Sequence, residues 1–246
     1  MSKPTTHQTC PHCGHNGCYT TWEDGGAFCH SCGFSDGGRS VTSEGLPELW
    51  YDSTITSSVT EGYRGLELDT VVLYQISTGY AGIEPKRREY SYPSQTKYRY
   101  LPKDFSKNKG FVGNELFGMN IFPPGGKTIT IVEGEDDATA AYEMLGKKNP
   151  VVSLPSGSIS SNLISNCGEY LRSFDQIIVC TDGDDTGRRA ASKLATAFPN
   201  KVFLVDIGTK TMKDPMDYHN AGMGREFFNA WNNRKKFVPS GHCEHK

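Results

Sequence analysis

The sequence predicts an α/β protein in which a small cysteine-rich ribbon is tethered to a larger domain built on a mostly parallel sheet flanked by helices. Three observations carry this expectation. Two C-x-x-C pairs separated by fifteen residues open the chain, a Gly- and Ser-rich stretch follows, and from residue 127 short apolar runs alternate with amphipathic segments. Strands alternating with helices at that spacing imply right-handed crossovers and parallel pairing.

The length of 246 residues exceeds the usual single domain, so one small and one larger domain are expected. Apolar runs such as "IIVC" and "VFLV" are too short to cross a bilayer, and the polar start has no signal-peptide core. An intracellular, cytoplasmic protein with no membrane partner is expected. Of the eight cysteines, Cys10, Cys13, Cys29 and Cys32 show metal spacing, while Cys167, Cys180 and Cys243 are scattered, which fits a reducing compartment. The net charge of -2 conceals a division. Residues 84–109 carry eight Lys/Arg against three acids, and residues 128–217 carry nine against thirteen. A basic segment ahead of an acidic one is not the pattern of a simple nucleic-acid-binding patch.

Taken in order, "SDGGRSVTSEGLP" lacks apolar periodicity and predicts a flexible tether of about 20 Å r.m.s. span. "LDTVVLYQI" predicts a short helix, and "REYSYPSQTKYRYLP" alternates aromatic with basic or polar residues as strands do. "TITIVEG" then predicts a strand, "DDATAAYEMLG" a helix stopped by Gly146, "PVVSLPSG" a strand and "ISSNLISNCGEYLRSF" a helix. They are followed by strand "QIIVCTD", helix "TGRRAASKLATAF", strand "KVFLVDI" and a last helix around "REFFNAWNN". The expected divisions are a ribbon at 1–38, a linker at 39–49, a basic subdomain at 50–125, the sheet subdomain with its C-terminal helix at 126–240 and a tail at 241–246.

Each C-x-x-C pair can offer two thiolates to a tetrahedral Zn²⁺ from a tight turn, so Cys10, Cys13, Cys29 and Cys32 form a Cys₄ site. His12, His15, His30 and Cys18 then stand as neighbours. A module this small cannot bury enough apolar area alone, and the metal supplies its folding energy. That is a purely structural role; the alternative is that Trp22, Phe28, His30 and Phe34 stack on or hydrogen-bond to single-stranded bases, and the ribbon alone does not decide between the two.

Glu133 stands just past the end of one strand, with Glu135, Asp136 and Asp137 entering the next helix. Asp182, Asp184 and Asp185 repeat the design after another strand, and Asp214 follows a third. Carboxyl ends of parallel strands are where open α/β sheets build sites. Acid clusters at neighbouring strand ends repel unless divalent cations neutralise them, and oxygen-only ligands favour Mg²⁺ or Mn²⁺. Helix capping is the simpler explanation for Asp137 and Asp185, but it leaves the doubled E-G-E/D-G-D pattern unexplained. "SLPSGSIS" places Gly157 and hydroxyls ahead of a helix, where free N–H groups can cradle phosphate or merely form a turn. "PGGKTIT" is not a Walker A loop, because Ile121 occupies the position that needs Gly.

Glu133-Gly134-Glu135, Asp182-Gly183-Asp184 and Lys213-Asp214-Pro215 resemble the Toprim domain shared by bacterial-type primases, topoisomerases and some nucleases. With the Cys₄ ribbon the likeness narrows to DNA primases, above all the primase half of the primase-helicases of T-odd bacteriophages, and it spans nearly the whole chain. The resemblance implies a metal-dependent RNA polymerase that makes primers de novo on single-stranded DNA from ribonucleoside triphosphates. Glu133, Asp182, Asp184 and Asp214 would hold magnesium, with Glu135 and Asp137 in support. Lys97, Lys103 and Arg99 match basic positions that act on nucleotide or primer-template, and a solvated strand face is their plainer reading. A replicative helicase and a DNA polymerase are the implied partners. Gly26 replaces a family histidine that takes part in template reading, so the start-site sequence does not carry across. The chain ends about where a helicase linker would begin, as expected of a stand-alone primase or of the primase half of a longer protein. Two other classes share parts of the pattern, a recombination-mediator clamp and a Toprim nuclease or topoisomerase. The first places its zinc motif next to Toprim, and a topoisomerase would need more chain and a tyrosine motif.

Overall fold

A computed structural model describes residues 4–11, 14, 16–22, 26–29, 35–37, 54–105, 108, 110–157, 159–180, 185–209 and 211–238. The expected linker and tail, and Cys13, Cys32, Asp182 and Asp184, lie outside these. The chain divides into two compact units, Met1–Ser53 with Ser160–Asn162, and Thr54–Ile159 with Leu163–Lys246.

In the first unit β1 (Pro4–Gln8), β2 (Tyr19–Trp22), β3 (Gly26–Cys29) and β4 (Ser35–Gly37) form an antiparallel sheet in chain order. Cys10 follows β1 and Cys29 closes β3, both buried. The Gly14 N–H reaches back to the Cys10 carbonyl at 2.9 Å with Gly14 at φ 71°, a tight turn that presents the first thiol inward.

The second unit contains two sheets. β5 (Ser57–Val59), β6 (Ile76–Ala81), β7 (Glu84–Ser91) and β8 (Thr96–Tyr100) are antiparallel, with α1 (Leu68–Leu73) between the first two. The helix expected across "LDTVVLYQI" ends early. Gln75 adopts φ 53°, and the β-branched Ile76 starts a strand.

The other sheet runs β10 (Val151–Ser153), β9 (Gly126–Val132), β11 (Phe174–Cys180), β12 (Val202–Leu204) and β13 (Lys235–Lys236), parallel except for the last strand. Alternation along its central strands sorts side chains onto two faces. Ile129, Ile131, Ile177 and Val179 pack with α3 (Ser161–Arg172) and α4 (Asp185–Ala197). Val132, Ile178 and Cys180 share the opposite core with Tyr74, Ile76, Tyr90, Phe117 and the residues of α2 (Glu135–Met144), α5 (Pro215–Asn220) and α6 (Gly224–Asn232). Ala138, Ala140 and Ala141 are fully buried, and their small side chains let α2 lie close to its neighbours. Each buried Ile or Val contributes about 1.5–3 kcal/mol relative to exposure. This double core is the mostly parallel α/β architecture expected, with the antiparallel sheet joined to one of its faces. Among the described residues no helix is long and apolar enough to cross a membrane.

Candidate active site

The chain leaves β9 for β10 on one side and returns through α3 to β11 on the other, so β9 is where the strand order reverses. Ligand crevices form at the carboxyl ends of such strands. Glu133 follows the last residue of β9, and Val132 pairs in register with Cys180, the last residue of β11. Glu133 is half-buried. At Gly134 a Cβ would lie 2.7 Å from Asp137 Oδ2, so a larger residue would push that carboxylate aside.

The first turn of α2 sends its three carboxylates to different partners. Glu135 Oε1 accepts from Tyr92 Oη at 2.6 Å and from Lys97 Nζ at 2.6 Å. Asp136 accepts from Tyr63, Tyr90, Arg64 and Arg99. Asp137 Oδ1 accepts the Met216 N–H at 3.3 Å, which ties it to the start of α5. There Asp214 caps the helix, accepting from Asp217 N at 2.8 Å. Burial raises the pKa of Asp214, while the Asp217 N–H and the charge of Arg64 act the other way. Burial, and then the adjoining carboxylates, holds the Tyr63, Tyr90 and Tyr92 hydroxyls well above their ordinary range, so they remain donors.

Opposite these acids stands β8. Its "TKYRY" pattern puts Lys97 and Arg99 on one face. Lys97 Nζ also donates to the Pro155 carbonyl at 2.8 Å, just past β10, and lies 5.0 Å from the Phe105 ring centre. With 12% of its side chain exposed it is not a solvated strand lysine. Lys103 is exposed in the turn after β8, and half-buried Gly157 follows Pro155 by two residues. The structure therefore gathers Glu135, Lys97 and Pro155 into one bonded group, and Asp137 with the first turn of α5 into another.

Among the described residues no group of three or more His, Cys, Asp or Glu side chains is set to hold a metal. The donor chemistry of Glu133, Asp137 and Asp214 is all oxygen, which suits a hard cation. In the first unit Cys18 Sγ lies 3.4 Å from Cys29 Sγ, so a fifth thiol touches the predicted zinc set. Sequence reasoning missed Tyr63, Arg64, Tyr90 and Tyr92 altogether and gave Asp136 no role. The signals available were an isolated "GYRG" turn for Tyr63 and Arg64 and the aromatic alternation of "REYSY" for Tyr90 and Tyr92, neither of which names a partner.

Residues 130–219 match a Toprim-like family model. The chain is 32% identical to a DNA helicase/primase of Enterobacteria phage T3 over 146 residues, 59% of this chain and 25% of that protein. It thus spans about a quarter of the length of that relative. Its fold is similar to the primase fragment of the bacteriophage T7 primase-helicase, with TM-score 0.64, 25% identity, and coverage of 93% of this chain and 99% of that one. It is likewise similar to T7 primase domains bound to an RNA/DNA hybrid and dTTP beside the lagging-strand DNA polymerase, with TM-score 0.66, 26% identity and coverage of 77% and 98%. Fold and matched segment identify a Toprim-like region within the chain. The phage relatives it resembles are, more narrowly, primases of the phage and bacterial type.

Proposed function

We propose that the chain synthesises short RNA primers from ribonucleoside triphosphates on single-stranded DNA by metal-dependent nucleotidyl transfer. The observation that carries this is the meeting of two chemistries at one place. Carboxylates at the start of α2 hold the basic side chains of β8, and their neighbour Asp137 is tied to the start of α5, where Asp214 is fixed as the cap. Glu133, Asp182, Asp184 and Asp214, with Asp137 beside them, would hold Mg²⁺ or Mn²⁺, which supplies charge neutralisation at the attacking hydroxyl and the pyrophosphate leaving group. Lys97, fixed by Glu135 and Pro155, directs an ammonium into the crevice beside the Pro155–Gly157 turn. Lys103, exposed beyond it, attracts the phosphates of template or nucleotide. Glu135 holds Lys97 and supports the cations only indirectly, because its carboxylate bonds to the Tyr92 and Lys97 side chains.

The front unit is proposed as a Cys₄ zinc ribbon that delivers template. Joining two nucleotides without a primer orders two small substrates at once, and a second domain gripping the template offsets part of that cost. Removing residues 1–40 should abolish template-directed initiation and spare weak extension of a supplied oligonucleotide. The proposed setting is the cytoplasm, with a replicative helicase and a DNA polymerase as partners; the polymerase is supported by the similar T7 primase domains that interact with the lagging-strand DNA polymerase. Incubating the protein with a randomised single-stranded DNA library, magnesium and labelled ribonucleotides should yield oligoribonucleotides. Cut DNA would instead indicate a nuclease, and simple retention of DNA a binding clamp.

A further inference from the structure

The front ribbon carries one thiol more than a tetrahedral zinc can use. Structural zinc takes four ligands at about 2.3 Å, which sets the sulfurs of two co-ligands about 3.8 Å apart. Cys18 lies outside both C-x-x-C pairs, yet its Sγ is 3.4 Å from Cys29 Sγ, nearer than a second ligand of the same metal would stand. The contact follows from the hairpin. Tyr19, the residue after Cys18, pairs in register with Cys29, so the two thiols stand one rung apart at the start of β2 and the end of β3.

The sulfurs differ in access. Cys10 and Cys29 are buried, whereas Cys18 is half-buried and follows the exposed Asn16 and Gly17. An oxidant arriving from solvent therefore meets Cys18 first. Closing the gap to the S–S distance of about 2.05 Å requires an approach of about 1.4 Å, within reach of side-chain rotation. Cys167 in the sheet domain is unlike this pair. It donates to the Asn114 carbonyl at 3.6 Å, and burial pushes its thiol up to about 11, which keeps it inert.

We propose that Cys18 and Cys29 form a redox switch, in which oxidation joins them as a disulfide, strips one ligand from the zinc and releases the metal. A hydroperoxide takes two electrons from the Cys18 thiol, leaving a sulfenic acid and an alcohol, or water where the oxidant is hydrogen peroxide. The Cys29 thiolate leaves the metal and attacks Cys18 Sγ, the S–S bond forms, and the sulfenic oxygen departs as hydroxide. A dithiol returns the two electrons and restores both thiols. Three thiolates hold zinc less well than four, and without metal a module of this size loses its fold. Template-directed initiation then stops. The inference rests on the Cys₄ ribbon proposed above. Its test treats the reduced, zinc-loaded full chain with hydrogen peroxide, follows zinc release with a chromogenic chelator and maps disulfides by peptide mass spectrometry. Wild type should release its zinc and show Cys18 linked to Cys29, and a dithiol with added zinc should reverse both. Cys18→Ser keeps the four predicted ligands and should release zinc about tenfold more slowly or slower still. Equal rates in the two proteins overturn the inference, as do disulfides confined to the C-x-x-C pairs of wild type. A reduced Cys18→Ser protein without zinc makes Cys18 a ligand and overturns it too. Reduced wild type that carries no zinc overturns the ribbon itself, an outcome distinct from zinc that is held and then lost equally in both proteins.

Discussion

Two helices of the sheet domain begin with acids and use them in opposite ways. Asp214 caps α5 in the ordinary manner, its carboxylate on the Asp217 N–H and Pro215 in the first turn, where the missing N–H costs nothing. Helix α2 starts on Gly134, which has no side chain to cap with, and its first-turn acids reach outward to β7, β8, the Tyr63–Leu66 turn and α5. The helix dipole favours negative charge at both starts. It does not choose the partners, and an acid at a helix N-terminus is therefore no evidence for capping until its bonds are known. At α2 Glu135 and Asp136 pin basic side chains, and Asp137 holds the start of α5.

The largest effect expected is on Glu133, which belongs to neither helix. Glu133→Gln should lower primer synthesis by about 10³-fold or more, because charge neutralisation at the transferring group is lost, while the urea midpoint stays near wild type. Retained synthesis would put Glu133 with the structural acids. Next comes Glu135, whose side chain is 8% exposed and paired with Lys97 at 2.6 Å. Glu135→Gln should cost about 3 kcal/mol in urea unfolding, since it leaves a buried ammonium unpaired. In the double variant Lys97→Met/Glu135→Gln the loss should be well below the sum of the two single losses. Additive losses would mean that the two groups do not hold one another.

What the sequence reveals here follows the range of the interactions. The alternation in "TITIV" and "QIIVC", and the Ala-rich "DDATAAYEM" closed by Gly146 at φ 71°, are local patterns, and the elements stand where those patterns predict. Helix α5 has six residues, too few to show a period, and only Asp214-Pro215 announces it. The two-residue β13 has no signal at all. Pairing between Lys97 and Glu135 spans 38 positions, and pairing between Arg64 and Asp136 spans 72. No spacing rule connects such residues, so Lys97 reads equally as a solvated lysine, and "GYRG" reads as an ordinary turn. Chemistry within one motif is legible, whereas the partner that sets its geometry is not.

The smallest effect separates the two duties of Asp214. As a cap it needs only an acceptor oxygen for the Asp217 N–H, whereas as a cation ligand it needs charge. Asn supplies the first without the second, and Ala supplies neither. Asp214→Ala should therefore lose about 1 kcal/mol in urea unfolding, the usual worth of a cap, and Asp214→Asn should stay within a few tenths of wild type. Burial disfavours the ionised form of this carboxyl, so removing the charge gives back part of what desolvation costs. Both variants should nevertheless fail in primer synthesis. If Asp214→Asn unfolds as easily as Asp214→Ala, it is the charge that steadies α5 and not the cap geometry, and the contrast between the two helix starts disappears.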